Sequence, residues 1–541
     1  MLRFIRNLLL LSTAFPFSAF AVPAFPGAEG WGAASVGGRG GQVIHVTSLN
    51  ASGPGSLYAA CQVSGPKIIV FDTGGVINMN NNQLWLNSTT TIAGQTAPGG
   101  ITLIRGGVYG DGVNDVIVRF VRVRRSADVA DGDCFRFCYN AHEVIVDHCS
   151  AMWNSDETID LSSGTYNVTF QHNVISSPGQ CYEQYGSGSG YGNNRTLWLG
   201  SRTAGRVTIY KCLLAHSMKR TPAMQNDGTS AWRGTTFELI NNVFYNCMQD
   251  AYETFDYGNT CPLNLVANYY KIGPNAAYPS SNPAPHCGTL PPVMFVHAKY
   301  NFNSQYPTLK VPAAFFKSTT VLGFVDTIIP PRKTTVIDSV QAAYQEVTIT
   351  SGPVPHDAAD TRVLNEARTG TGAWQDSCEP RPDPYSPGTG LRITDTDRDG
   401  IPDAWETAHG LNPNNASDRT TDMAGYNAVE VYLNELADSL ISQTAAAKVE
   451  APQMSLDAAG PLVSAFPNPF NPQVIVGLSG GLENGATLKL FDLSGKLVAD
   501  LSGTIRNRRA AWNAAGFSPG VYMLVAKKGS LCLARRIVYS R

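Results

Sequence analysis

At 541 residues the chain can hold several domains and a large core, while 52 Gly, 33 Pro and only 15% charged residues exclude a helical bundle or extensive disorder. Its 40 basic and 42 acidic residues leave a net charge of −2, so no global field draws it to nucleic acid or an anionic membrane, and a polyanionic partner must be gripped locally. The chain opens with MLRFIRNLLLLSTAFPFSAFA, where Arg3 and Arg6 precede an apolar run and Ala19-Phe20-Ala21 makes a cleavage signal. This reads as a secretory signal peptide over residues 1–21. No later stretch approaches ~18 uninterrupted apolar residues, so a secreted or surface-attached protein without a membrane span is expected. The 11 cysteines, scattered over so long a chain, read mostly as buried thiols.

Short β-rich runs then recur, beginning at Val43, Ile68, Ile92, Val116, Val144, Val168, Val207 and Phe237, with spacings of 25, 24, 24, 28, 24, 39 and 30 residues. A strand in every unit of such a period indicates a solenoid, and the absence of an L-x-x-L-x-L pattern argues against a leucine-rich horseshoe. Five residues after successive starts stand Val121, Cys149, Asn173, Cys212 and Asn242, as one inward position stacked coil upon coil. A right-handed parallel β-helix is expected. The 39-residue unit carries the insertion PGQCYEQYGSGSGYGNN, either a wall beside a carbohydrate site or a plain surface loop. Asp147-His148 reads as a structural hydrogen-bonded pair, and Lys211 and Lys219 read as solvent-facing.

The stretch WNSDETIDL places Asp156, Glu157 and Asp160 together. By itself an acidic pair there is a solvated turn, but the repeat adds geometry. Asp133 lies 11 residues before Val144, Asp156 lies 12 before Val168, and Arg195 lies 12 before Val207, so the three share one angular sector on coils ~4.8 Å apart. Asp156 and Asp160 would stand ~13 Å apart on an extended strand, so acting on one ligand requires a turn between them. Three carboxylates in such a column repel unless a hard cation lies among them, and an all-oxygen set suits Ca²⁺ better than Zn²⁺.

These stretches, with AFPGAEGWGAASVGGRGGQVIHVTSLN, SGPGSLYAAC, TIAGQTAPGG and VIVDHCSAMWNSDETIDL, resemble the catalytic module of the pectate lyases of polysaccharide lyase family one, from about Ala24 to Asn246 and more weakly to about residue 445. The resemblance implies a calcium-binding parallel β-helix that cleaves polygalacturonate by β-elimination. It places calcium ligands at Asp133, Asp156 and Asp160, a basic residue at Arg195 where better-known members carry Lys, and the catalytic arginine at Arg220 in KRTPAM. A further substrate-binding arginine of the family falls on Gln225. Without the resemblance, Arg195 and Arg220 read equally as surface arginines.

Residues 391–440 hold DTDRDGIPDAWE. Asp395, Asp397, Asp399, Asp403 and Glu406 occupy positions 1, 3, 5, 9 and 12 of a twelve-residue calcium loop, with Gly400 at the sharp turn. An acidic turn capping a following helix is the plainer alternative. Residues 441–460 read as an Ala/Ser-rich linker, and residues 461–541, with short alternating strands between Gly and Pro turns, as a small β-sandwich. That end resembles the carboxy-terminal sorting domains of type IX secretion, read by a secretion machinery; a carbohydrate-binding module is the second choice.

The expected protein is thus an all-β chain: a signal peptide at 1–21, a catalytic β-helix at 22–390, a calcium appendage at 391–440, a linker at 441–460 and an immunoglobulin-like module at 461–541. It is expected to act as a secreted, monomeric, Ca²⁺-dependent pectate lyase on pectin or polygalacturonate. The competing readings are a non-catalytic, adhesin-like polysaccharide binder, or a lyase or hydrolase for another pectic polymer.

Overall fold

The computed structural model describes residues 22–329 apart from 126–131, 155, 177–194, 202–205, 218–219, 227–235, 248–252, 257–261, 276–293 and 309–321, then 333–372, 394–448 and most of 462–539. The leader at 1–21, the glycine-rich insertion and Lys219 lie outside the described residues. Three parallel sheets wind around one apolar interior. The first has eleven strands, from Gln42–Val46 to Leu322–Phe324; the second, seven, from Leu84–Trp85 to Glu253–Asp256; the third, nine, from Gly75–Asn78 to Phe302–Asn303.

The repeat starts at Val116, Val144, Val168, Val207 and Phe237 pair with one another residue for residue. The earlier starts slip: Ile68 pairs with Thr91, not Ile92, and Thr91 with Ile117, not Val116. Strand Lys67–Phe71 is buried on both faces, so its apolar residues carry no alternation to mark the inward side. Its outer face is covered by Ile401, Val429, Tyr432 and Leu433.

The inward stack is a hydrogen-bonded ladder. The Cys149 amide donates to Asn173 Oδ1 (2.7 Å), the Cys212 amide to Asn242 Oδ1 (2.9 Å), and the Asn242 amide to Asn268 Oδ1 (2.9 Å). Asn268 in turn donates to Asn301 Oδ1 at 2.9 Å. Each bond satisfies a buried amide from the neighbouring coil, a contribution of about 1 kcal/mol. One residue between the first and third sheets turns each coil: Phe120, His148, His172, Lys211, Asn241, Ala267 and Tyr300 all have φ between 48° and 60°.

Two helices the all-β reading did not foresee, Val340–Thr350 and Ala358–Thr369, start at Ser339 and Asp357, whose side chains cap the first turn. They cover the outer face of the third sheet, packing Val347, Val363 and Leu364 on Val174, Leu213 and Val243. The first of them buries Lys211, expected in solvent, with Nζ 2.8 Å from both Asp338 and Glu346. His148 Nδ1 meets Asp147 Oδ1 at 2.9 Å, a buried pair beside the stack. Among the described residues, Cys61, Cys134, Cys138, Cys149 and Cys212 are free and buried.

Helix Ala428–Lys448 lies over the first coils and runs past Ile441, where the linker was expected to begin. Beyond it, antiparallel sheets of three and four strands enclose a separate core around Phe470, Trp512 and Leu524.

Candidate active site

Asp133, Asp156, Glu157, Asp160, Arg195 and Arg220 fall on, or directly before, neighbouring inner strands of the second sheet. Strand Phe135–Phe137 pairs Phe135 with Ile159, and strand Glu157–Leu161 pairs Glu157 with Arg195. The counterpart of Asp133 is therefore Glu157, and the Glu157 amide donates to Asp133 Oδ1 at 3.0 Å. Asp156, chosen from the sequence as the middle of the column, is one residue out of register. The offsets of 11 and 12 from the next strand hid this; stepping 24 residues on from Asp133 lands on Glu157. Strand Arg195–Ser201 pairs Trp198 with Ala223, and Leu197 N donates to Arg220 O at 2.7 Å, bringing Arg220 alongside.

Asp133, Asp156 and Glu157 offer carboxylate oxygens within 4.8 Å of one another. The turn expected between Asp156 and Asp160 is not there: Glu157–Leu161 is a continuous strand, and Asp160 lies in register with Arg136 and Trp198. Asp160 Oδ2 accepts from Cys138 Sγ at 3.3 Å, while Oδ1 is buried without a hydrogen-bond partner. Asp133 is fixed by its backbone, its amide donating to Tyr109 Oη (3.0 Å) and its carbonyl accepting from Arg125 Nη1 (3.2 Å).

Burial, reinforced by the charges of Asp160 and Asp156, pushes the Asp133 carboxyl up to about 8. Burial and Asp156 raise Glu157, and burial raises Asp160. Such a group favours a cation that pays back this crowding. Its donors are all oxygen, the chemistry of a hard divalent ion.

Arg220 contacts Glu157 Oε1, and its guanidinium carbon lies 4.3 Å from the centre of the Trp198 ring. Its φ of +53° is an uncommon conformation for a side-chain-bearing residue and turns the chain sharply after the preceding coil. The side chains of Arg195 and Gln225 lie outside the described residues; their backbones are strand residues, Gln225 pairing with Gly200. Towards the amino-terminal coils the same face continues through Trp85, Tyr109 and Arg136, each paired with the next. Trp85 is exposed, with its ring edge-on to Tyr109 at 5.4 Å.

The second acidic group lies apart. Asp395, Asp397 and Asp399 bring carboxylate oxygens within 4.8 Å, as do Asp399, Glu406 and Asp418. Asp403 is absent from both sets, its two oxygens accepting from Thr396 N and Oγ1, each at 2.7 Å. Asp418 carries no signal in the sequence, because it lies twelve residues beyond the loop motif.

Comparison with known proteins places this geometry. Over 431 residues the chain is 30% identical to a probable pectate lyase C of Aspergillus flavus, covering 77% of this chain and 95% of that one. A probable pectate lyase C of Emericella nidulans is 32% identical over 432 residues, covering 77% and 94%. The chain belongs to the pectate lyase family. With that membership it is a polysaccharide lyase, and the parallel β-helix is the scaffold of its site. Among solved structures, jun a 1, the major allergen from cedar pollen, is similar with a TM-score of 0.45 and 17% identity over 60% of this chain and 93% of that one. Residues 464–540 match the family described as secretion system C-terminal sorting domain, so this pectate lyase family member is exported to the cell surface or beyond.

Proposed function

We propose that the protein cleaves polygalacturonate by β-elimination, with Ca²⁺ held by Asp133, Asp156 and Glu157 and by the unpartnered Oδ1 of Asp160. The observation that carries this reading is one acidic group, three carboxylates within 4.8 Å, with Arg220 touching one of them. Bound there, Ca²⁺ would supply the charge that eases loss of the proton alpha to a uronate carboxylate.

The chain's own residues do the rest. Tyr109 and Arg125 keep Asp133 in place through its backbone. Arg195, whose backbone pairs with that of Glu157 in the sheet, is assigned to the substrate carboxylate. Arg220 takes the C5 proton. Arginine normally keeps its own proton to a pKa above 12, so this role requires the guanidinium in its neutral form at the moment of transfer, its own proton given up to solvent. Glu157, a carboxylate on the cation, touches that guanidinium and orients it. The catalytic unit is residues 22–390, and the sorting module takes no part in the chemistry.

Incubated with polygalacturonate, the purified protein is expected to release unsaturated, ultraviolet-absorbing products, and chelation with EDTA to stop their release. A folded protein that binds the polymer and yields no such product would be the non-catalytic binder.

The strip of Trp85, Tyr109 and Arg136 supports distal contacts with the same polymer, an aromatic face for the sugar ring beside a cation for its carboxylate. Trp85→Ala is expected to raise KM on long polygalacturonate about 5-fold, equivalent to about 1 kcal/mol of lost contact. On trigalacturonate the rise should be smaller, and equal rises on both substrates would remove Trp85 from the binding face.

A further inference from the structure

Six carboxylate oxygens in the 394–448 segment are buried and have no hydrogen-bond partner: both of Asp397, both of Glu406, Oδ2 of Asp399 and Oδ1 of Asp418. Glu406 is 0% exposed and Asp399 1%. Leaving so many acceptors dry and unpaired is costly, and leaving them charged is costlier still.

The other oxygens of Asp399 and Asp418, and both oxygens of Asp395, shape the loop. Asp395 Oδ1 accepts from Arg398 N (2.8 Å) and Oδ2 from Gly400 N (3.0 Å). Asp399 Oδ1 accepts from Ile401 N at 2.9 Å, and Asp418 Oδ2 from Asn412 N at 2.9 Å. Each of Asp399 and Asp418 thus holds the backbone with one oxygen and leaves the other for the common centre. Gly400, at φ +92°, permits the turn that aims them there.

We infer that Asp395, Asp397, Asp399, Glu406 and Asp418 form a second Ca²⁺ site, with Asp418 supplying from a later turn what Asp403 does not. An oxygen set of this size, drawn from flexible carboxylates, suits Ca²⁺ better than the smaller, stricter Mg²⁺.

The site is built against the β-helix. Ile401, directly after the glycine, is fully buried against Ile68, Val70 and Ala93. His45 Nε2 lies 3.0 Å from Arg398 O, and the other ring nitrogen of His45 is 2.7 Å from Asp72 Oδ1. Trp405 Nε1 donates to Glu435 of helix Ala428–Lys448 at 2.9 Å. The ion therefore fastens that helix and the loop onto the first coils, where the doubly buried strand Lys67–Phe71 needs its cover. This role is separate from the proposed chemistry at Asp133 and Asp156.

Calcium titration of the chelator-stripped full chain, followed by calorimetry and by thermal unfolding, tests it. Two ions per chain are expected, and Asp418→Asn and Asp399→Asn should each leave one, weakening the lost site at least ~10-fold. Calcium should raise the unfolding midpoint of the unmodified chain, and most of that rise should vanish in Asp418→Asn. Asp418 lies on a turn outside the core, so this variant folds even if Asp399→Asn does not. Terbium luminescence sensitised by Trp405, which neighbours Glu406, should fall in parallel. An unchanged ion count and an unchanged midpoint response in Asp418→Asn would overturn the inference. Failure of the active-site reading looks different: one ion in the unmodified chain and none in Asp418→Asn.

Discussion

Arg220→Ala should lower kcat by at least ~10²-fold on polygalacturonate, the lower range for a positioned acid–base group, with KM and calcium affinity little changed. The expectation rests on where the guanidinium sits, against Glu157 and over the Trp198 ring, not on its charge alone. Arg220→Lys should therefore stay severely impaired, since lysine keeps the charge and loses the planar fork. If Arg220 merely binds substrate, KM rises, kcat survives and lysine rescues. Steady-state kinetics of the two variants separates the cases, and a near-normal kcat in Arg220→Ala would pass the role to Arg195 or Lys219.

Asp156→Asn should cost at least ~10²-fold in activity at limiting calcium, partly recovered by excess calcium, because it removes one of three clustered carboxylates. The same change should leave the metal-free fold as stable as before or slightly more so. Asp156 adds to the repulsion that raises Asp133 and Glu157, and asparagine relieves it. Thermal unfolding in EDTA measures this directly. A folded variant with unchanged activity and unchanged EDTA sensitivity would remove Asp156 from the metal site.

Much of this was legible in the residues. The strand period from Val116 to Phe237 and the stack through Cys149, Asn173 and Asn242 could be read off, because an inward position in a solenoid must repeat. What failed did so where the repeat is locally uninformative. At Ile68 both faces are covered, so hydrophobicity does not show the register. At Asp156 the choice turned on a single residue, and the pairings of Phe135 with Ile159 and of Glu157 with Arg195 bring Glu157 forward. Lys211 owes its surroundings to a segment more than a hundred residues away, and Asp418 reaches Asp399 and Glu406 from a turn beyond the loop motif; no local pattern carries that information.

The amide ladder also governs how the molecule comes apart. Each rung joins one coil only to the next, so the cylinder opens from its ends, coil by coil, and the amides of Cys149 and Cys212 should exchange with deuterium later than those of Asn268. The carboxylate cluster stands on the coil of Cys149, which carries Asp133, and on the next, which carries Glu157 and precedes the coil of Cys212. Fraying that strips the last strands would thus leave the charged pocket wound tight, and partial unwinding at the carboxyl-terminal end becomes a tolerated excursion.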